Sequence, residues 1–470
     1  MAMNPTSYTD ERLDKTTDQL KPLFMKAFNV QNDSDVEWIL FSFAPGRVNF
    51  IGEHVDYMGG YVCPAAVGDG CHILAGRVKH ITDEKLRFAT TRGEYFELDH
   101  LGDKGGNKAW TTFIRGAATI RLAHHGVQLG AEPLKGLCMM ILGTLEMGAG
   151  MSASASFGVA LLNTFSTAIT GRYQCATTTP GRRYAILPRD SHEDMIELVK
   201  QGRRIETDFC GVNVGIMDQF VSAFSVANKF MVLDCGALEH KLCDITPIIG
   251  DDACFLLIDS MIKHDLLGET AGTYNTVRSD QEHAQEKISK HVFDGKPFTF
   301  TDLVREPSKF TSDGDAVAFV KSCKKYLTEG EFERGYYNVT EQIRTRDFIT
   351  LTDSSTPMTH EERFKRAGSI LNEAHEGMKT LMKISTDELD LIQSTINEDS
   401  DVAGGRLMGG GFGGCVILLL KKSAVDRVVC NVREKFKARF GMENKVYPIA
   451  MGDGAFVVSL KDNARMVGSI

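Results

Sequence analysis

Between Met408 and Cys415 the chain reads Met-Gly-Gly-Gly-Phe-Gly-Gly-Cys, five glycines in six positions. Neither a helix nor a strand profits from such a run, because glycine loses the most backbone freedom on folding and packs nothing. A stretch of this kind is a turn that needs left-handed backbone, or a close approach to another backbone or a ligand. The apolar run Cys415 to Leu420 follows at once, so the turn ends at a buried strand. A purely structural hairpin and a ligand-approaching loop both satisfy this pattern.

Two further segments share the character. Glu146-Met-Gly148-Ala149-Gly150-Met151-Ser152-Ala153-Ser154-Ala155-Ser156 stands between an apolar run, Leu137 to Leu145, and a helical pattern from about Ser154 to Thr170. Glycines there let backbone approach an anion, and a helix start offers free N–H groups and a positive dipole end to phosphate. A plain tight turn with a serine cap fits equally well on chemistry alone. The loop lacks G-x-x-x-x-G-K-[ST], so it is not a Walker A loop. Its weak dinucleotide-binding spacing has no acidic residue ending a second strand about twenty residues on, which argues against a nicotinamide-dependent dehydrogenase. The segment Gly46 to Tyr61 packs Arg47, Asn49, Glu53, His54, Asp56 and Tyr57 between glycines. Carboxylates and other directional groups at such density suit a polyol better than a solvated turn.

Length and composition ask for two packed halves. The chain has 470 residues, 43% hydrophobic and 24% charged, ordinary for a globular protein but too long for one small core. A formal charge of -9 disfavours nucleic acid, which needs a basic surface. No apolar run is long enough to cross a bilayer, and the polar, acidic N-terminus is unlike a secretory signal. The 11 cysteines are scattered without a C-x-x-C pair, which points to reduced thiols in an intracellular protein rather than a disulfide frame or zinc site.

Periodicity predicts strands at Trp38 to Phe43, Cys71 to Val78, Leu86 to Thr91, Leu137 to Leu145, Phe230 to Leu233, Cys254 to Asp259, Cys415 to Leu420 and Ala455 to Leu460. It predicts helices over Thr111 to His125, Ser154 to Thr170, from a Ser191 cap toward Glu206, Tyr274 to Lys290, Glu362 to Met382 and Ala424 to Phe440, and one opened by a Ser385-x-x-Glu388 capping box. The mixture reads as α+β in two lobes: an extension at 1–35, a first lobe at 36–250 and a second at 251–470. The polar segments 172–190 and 292–360 read as surface insertions.

At this point a resemblance is plain. Gly46 to Tyr61 resembles the galactokinase signature nearly residue for residue. Gly148 to Ser156 resembles the phosphate loop of the GHMP kinase superfamily, and Met408 to Cys415 its third glycine motif. Gly215-Ile-Met-Asp218-Gln-Phe220 also matches the galactokinase pattern, and Asp453-Gly-Ala455 its closing strand. The motifs fall in the family's order from about residue 38 to 460.

The resemblance implies a two-lobed GHMP kinase fold, with a mixed sheet and helices in the N-terminal lobe and an antiparallel sheet and helices in the C-terminal lobe. It implies phosphorylation of α-D-galactose at the anomeric hydroxyl, with ATP as co-substrate and Mg²⁺ as cofactor. Asp218 resembles the aspartate that takes the hydroxyl proton, and Arg47 the arginine beside it. Glu53, His54, Asp56, Gly215 and, in a diverged segment, Tyr274 match the sugar-binding positions, together with Arg47 and Asp218. Gly148, Ala149, Gly150, Met151, Ser152, Ala153 and Ser154 match the ATP phosphate loop, and Trp110 resembles the tryptophan near adenine. Ser154 and Glu206, the latter twelve residues before Asp218, match the magnesium ligands. The family's pattern commonly has glycine and serine where Ala149 and Ala153 stand, and threonine where Met408 stands. Ser152 is expected to cap the helix, and Met408 to loosen the contacts near the ligands.

Two other readings stay open: the same mechanism on N-acetylgalactosamine or L-arabinose, and a galactokinase-like sensor that binds without turnover. No obligate protein partner is evident. Arg12-Leu13-Asp-Lys-Thr-Thr-Asp-Gln19-Leu20 resembles the N-terminal peroxisomal targeting nonapeptide, so the expected location is the cytoplasm, or a microbody such as a glycosome if that signal acts. An ordinary amphipathic helix is the bland explanation of the same residues.

Overall fold

The computed structural model describes residues 9–101, 110–146, 148–175, 177–178, 184–187, 190–263, 270–305 and 312–460. The fold is α+β. An eight-stranded sheet carries the first lobe, in the order Tyr95–Leu98, Leu86–Thr90, Leu137–Gly143, Pro64–Val78, Val36–Asn49, Phe456–Ser459, Ala185–Ile186, Thr177–Thr178. Its pairs are antiparallel except Leu86–Thr90 with Leu137–Gly143, which run parallel.

The central strand shows why both faces are covered. From Trp38 to Ala44 alternate residues point to opposite faces, and both sets are apolar but for the buried Ser42. Trp38, Leu40 and Ala44 pack with the helices Trp110–His125, Ala153–Thr170, His192–Arg204 and Met217–Phe224. Ile39, Phe41 and Phe43 pack with Leu13, Leu20, Phe24 and Phe28 from the N-terminal helix Asp10–Ala27 and its end. Leu13 and Leu20 of the targeting-like nonapeptide are therefore core residues, at 3% and 0% exposure, and Arg12 pairs with Asp69 at 3.1 Å.

The second lobe is built on a four-stranded antiparallel sheet, Val402–Met408, Cys415–Lys421, Ala253–Asp259, Val446–Pro448. The helices His360–Gly377, Asp387–Ile396 and Val425–Phe440 bury Phe364, Ile370, Leu371, Ile392, Val428, Val432 and Phe436 against it. The two lobes interleave at both ends of the sequence. Val48, Phe50 and Ile51, where the central strand runs out, enter the second core. Leu40 to Phe43 pair with Phe456 to Ser459, so the last strand returns to the first lobe's sheet.

Two local expectations change. The helix over Asp387–Ile396 is capped by Thr386, whose Oγ1 accepts from Leu389 N at 3.4 Å, while the Ser385 hydroxyl donates to Asp390 at 2.6 Å. The larger correction concerns 292–360, which is no surface insertion. It contains the helices Asp313–Ser322 and Glu329–Thr352, and the longer one buries Asn338, Glu341, Gln342 and Thr345 at 0 to 1% exposure. These positions recur at helical spacing but are polar, so hydrophobic periodicity is blind to them. The readable signal was the capping box at the start, where Thr328 N donates to the Glu331 carboxylate at 2.8 Å and Glu331 N to Thr328 Oγ1 at 3.3 Å. Of the other segment, 172–190, residues 176, 179–183 and 188–189 lie outside those described.

Candidate active site

One guanidinium joins the motifs. Arg47 extends from the central strand and is 5% exposed. Its Nε and Nη2 donate to Asp218 Oδ1 and Oδ2 at 2.8 and 3.0 Å, and its Nη1 donates to the carbonyl of Gly150. Burial opposes the Arg47 charge, but Asp218, Glu53 and Asp56 outweigh it and hold its pKa above the ordinary value. Asp218 sits in the first turn of Met217–Phe224, where the helix dipole favours a carboxylate. Gly46 permits the approach that makes this possible. A Cβ there would stand 2.4 Å from the Met151 carbonyl, to which Arg47 N donates at 3.1 Å.

The phosphate-loop candidates turn on left-handed backbone at Gly148 (φ 78°), Gly150 (φ 75°) and Ser152 (φ 57°). Ser152 precedes the helix Ala153–Thr170 but makes no side-chain cap. Its hydroxyl donates to Asp218 instead. The expected cap is thus diverted to the carboxylate, and the cap side chain leaves the first-turn N–H groups to another acceptor. The third glycine turn closes on the first: a Cβ on Gly150 would meet Met408 O at 3.1 Å. Met408 itself is fully buried, and its sulfur accepts from Asn49 N at 3.4 Å, so it fills space rather than loosening the junction.

Glu206 and Ser154 are brought together. The Ser154 hydroxyl sits close enough to the Glu206 carboxyl to pull its pKa down, and Gln219 Nε2 donates to Glu206 Oε1 at 2.8 Å. Burial, and next the charge on Asp218, push the Glu206 carboxyl up to about 7. Among the described residues no group of three or more His, Cys, Asp or Glu side chains is placed to hold a metal. Two adjacent hard oxygens at an anion loop nonetheless fit Mg²⁺, which takes few protein ligands and completes its octahedron with phosphate and water.

The sugar-site candidates line one small cavity: Arg47, Glu53, His54, Asp56, Gly215, Asp218 and Tyr274, with Val214, Met217, Gly409 and Gly410. Burial alone would raise the Glu53 pKa, but Arg406 and Arg47 hold it below the ordinary value. Glu53 Oε1 accepts from Arg406 Nη1 at 3.2 Å and Gly409 N at 2.9 Å. Asp56 is pushed up to about 6 by burial and then by Asp218. It presses so closely on Gly215 that a Cβ there would lie 1.6 Å from Asp56 Oδ2. The Tyr274 ring lies 5.4 Å from that of His54. Trp110 is set apart from this cavity, at the first turn of its helix and edge-on to Phe96 at 6.1 Å.

Sequence reasoning missed the groups that hold this site. Glu341 Oε1 accepts from Gly52 N and Glu53 N at 3.0 and 3.3 Å, and its Oε2 accepts from Arg344 at 2.8 Å. Arg406, wholly buried, donates to the carbonyls of Phe50, Asn49 and Leu407 at 3.0, 2.6 and 2.8 Å. Lys263 and Lys445 converge on Glu146 at 2.7 and 3.0 Å beside the phosphate loop. No local motif marks these residues, since each acts on a segment remote in sequence.

The fold and this site are those of a GHMP kinase. The model of the galactokinase galactose-binding signature matches residues 23–77, and that of the GHMP kinase C-terminal region matches residues 358–438. A galactokinase of Thermotoga petrophila is 30% identical over 413 residues, 87% of this chain and 98% of that protein. One from Actinobacillus succinogenes is 27% identical over 420 residues, 88% and 93% of the two chains. The crystal structure of Lactococcus lactis galactokinase complexed with galactose superposes with a TM-score of 0.73 at 23% identity, covering 94% of this chain and 99% of that one. The chain belongs to the galactokinase family. No described helix is long and apolar enough to cross a membrane.

Proposed function

We propose that this chain transfers the terminal phosphoryl group of ATP to the anomeric hydroxyl of α-D-galactose. The observation that carries the reading is the double engagement of Arg47, which forks onto Asp218 while bonding the Gly150 carbonyl. One side chain thereby ties a carboxylate in the polar cavity to the glycine turn that precedes the helix Ala153–Thr170. In this reading Glu53, His54, Asp56, Tyr274 and the Gly215 backbone orient the hexose. Asp218 accepts the anomeric proton, and the oxygen attacks phosphorus in line. Arg47 offsets the negative charge on the moving group.

The turn from Gly148 to Ser154 holds the phosphates on its N–H groups, and Lys263 and Lys445 add cationic charge at its edge. Ser154 and Glu206 would hold Mg²⁺, which would neutralise phosphate charge when bound. Trp110 lies against the base. The lobes are read as 36–250 and 251–470, with the final strand shared.

The test is ADP release from ATP and Mg²⁺ with galactose, N-acetylgalactosamine and L-arabinose side by side. Turnover with galactose at the highest kcat/KM is expected. Sugar binding without ADP release from any of the three would overturn the reading in favour of a sensor. The nonapeptide could be read by a targeting receptor only with Leu13 and Leu20 off the sheet. A fluorescent fusion carrying Arg12→Ala and Leu13→Ala reports whether location depends on it.

A further inference from the structure

From the Tyr57 hydroxyl beside His54 runs a buried chain of polar side chains with no part in the mechanism above. Gln342 Nε2 donates to Asn338 Oδ1 at 2.6 Å, and Asn338 Nδ2 donates to Gln281 Oε1 at 2.7 Å. Gln281 Nε2 donates to the Tyr57 hydroxyl at 3.0 Å, and that hydroxyl lies 3.0 Å from His54 Nδ1. Gln281, Asn338 and Gln342 are at most 1% exposed, so water does not share these bonds.

The direction of the chain is set by an atom that can only accept. Gln281 Nε2 also lies 3.4 Å from the main-chain carbonyl of His54. An amide oxygen there would face another oxygen, so the nitrogen must point at His54 and the oxygen at Asn338. Asn338 then presents its nitrogen to Gln281 and its oxygen to Gln342. The Tyr57 oxygen accepts from Gln281, which leaves its hydrogen for the remaining neighbour, His54 Nδ1. That nitrogen carries no proton. Burial lowers the imidazole pKa and keeps the ring neutral, so its single hydrogen is on Nε2. Nε2 is buried and makes no hydrogen bond of full geometry in the protein, with the Gly410 backbone the polar group beside the ring, on a residue that lines the sugar cavity at φ 57°.

We propose that Tyr57, Gln281 and Asn338 are positioning residues that lock His54 as the Nε2–H tautomer, so that the imidazole offers a neutral hydrogen-bond donor to one sugar oxygen. Glu53 and Asp56 accept from hydroxyls, and His54 supplies the opposite polarity. The cavity then discriminates hydroxyl arrangement by donor and acceptor pattern as well as by shape. This rests on the sugar reading of the cavity given above.

The experiment has two readouts on the full chain. Nitrogen-15 NMR of histidine-labelled protein without ligands reports which ring nitrogen of His54 is protonated, with its signals assigned by their loss in His54→Gln. Steady-state kinetics reports KM for galactose and for ATP separately. The wild type should show Nε2–H. Tyr57→Phe should give mixed tautomers and raise the galactose KM about threefold to tenfold, the effect of one hydrogen bond, with the ATP KM unchanged. Asn338→Leu, which leaves Gln281 free to turn, should move both readouts the same way and serves if Tyr57→Phe does not fold. A wild-type His54 protonated on Nδ1 or on both nitrogens overturns the proposal, as does a tautomer that moves while the galactose KM does not. Absence of ADP release from the wild type with every sugar overturns the sugar reading instead, and the spectra still decide the relay.

Discussion

The turn at Gly148 to Ser154 and the cavity behind Glu53 and Asp56 meet at Arg47, yet they are made of opposite materials. The turn is backbone: left-handed glycines, a helix start whose cap side chain faces elsewhere, and small residues such as Ala149 and Ala153 wherever a side chain would intrude. The cavity is side chain. The Glu53 carboxylate and backbone are held by Arg406 and Glu341 from segments remote in sequence, and the His54 imidazole by Tyr57 of its own loop, backed by the distant Gln281. A backbone site depends on conformation and tolerates changes of residue that keep it. A side-chain site depends on each buried partner, because an orphaned polar group costs its full desolvation.

Substitutions should break the two halves in different ways. The largest effect is expected where they join: Asp218→Ala should lower kcat by about 10²–10³ and leave the galactose KM within a few-fold, measured by ADP release. Near-normal kcat would remove Asp218 from the mechanism. Next is Glu341→Ala, which strands the Gly52 and Glu53 N–H groups and Arg344. It should cost on the order of 3 kcal/mol of stability, the usual penalty for breaking a buried pair, read from denaturant unfolding. A matching substitution at solvent-exposed Lys263 should leave that stability almost unmoved and raise the ATP KM instead.

Gly215→Ala should act on the cavity alone. Displacing the Asp56 carboxylate should reduce kcat/KM for galactose about tenfold, the worth of a charge-assisted hydrogen bond, with the ATP KM unchanged. An equal rise in both KM values would show that the halves are less separate than drawn.

The smallest effect concerns pH. Asp56 has its pKa raised in the folded protein to about 6, so between the ordinary aspartate range and that value the folded state keeps a proton the unfolded chain has released. The contribution of Asp56 to stability is therefore present below that window and is lost as pH rises through about 6. The galactose KM should run the other way, rising as pH falls below about 6, because a protonated Asp56 loses acceptor capacity. Asp56→Asn should flatten both profiles in urea titrations and kinetics from pH 4.5 to 8.

Much of this was legible in one dimension. Glycine runs announce positive φ wherever they occur, so the turns at 148–154 and 409–414 could be read before any contact was known. The seven-residue stretch Trp38 to Ala44 is apolar on both faces except at Ser42, which a buried central strand explains. The helix Glu329–Thr352 was not legible as a helix in the core, because the apolar residues it buries, Tyr337, Val339, Phe348 and Leu351, are broken up by the equally buried Asn338, Glu341, Gln342 and Thr345. Hydrophobic periodicity measures transfer from water, whereas Glu341 is buried to accept from the N–H groups of Gly52 and Glu53, and Asn338 and Gln342 to extend the chain that reaches Tyr57 through Gln281.

By itself the amino-acid sequence determined many of the strands, most of the helices and the turns that demand glycine, since each depends on residues within a few places of one another. Only the tertiary structure decided that Arg47, expected beside Asp218, would also reach the Gly150 carbonyl, that Ser152 would serve the carboxylate and not its own helix, and that Glu341 and Arg406 would hold the loop from Gly52 to Glu53. Hydrogen bonds and ion pairs act over about 3 Å in space, and nothing in the order of residues along a chain records which distant atoms folding will bring within that range.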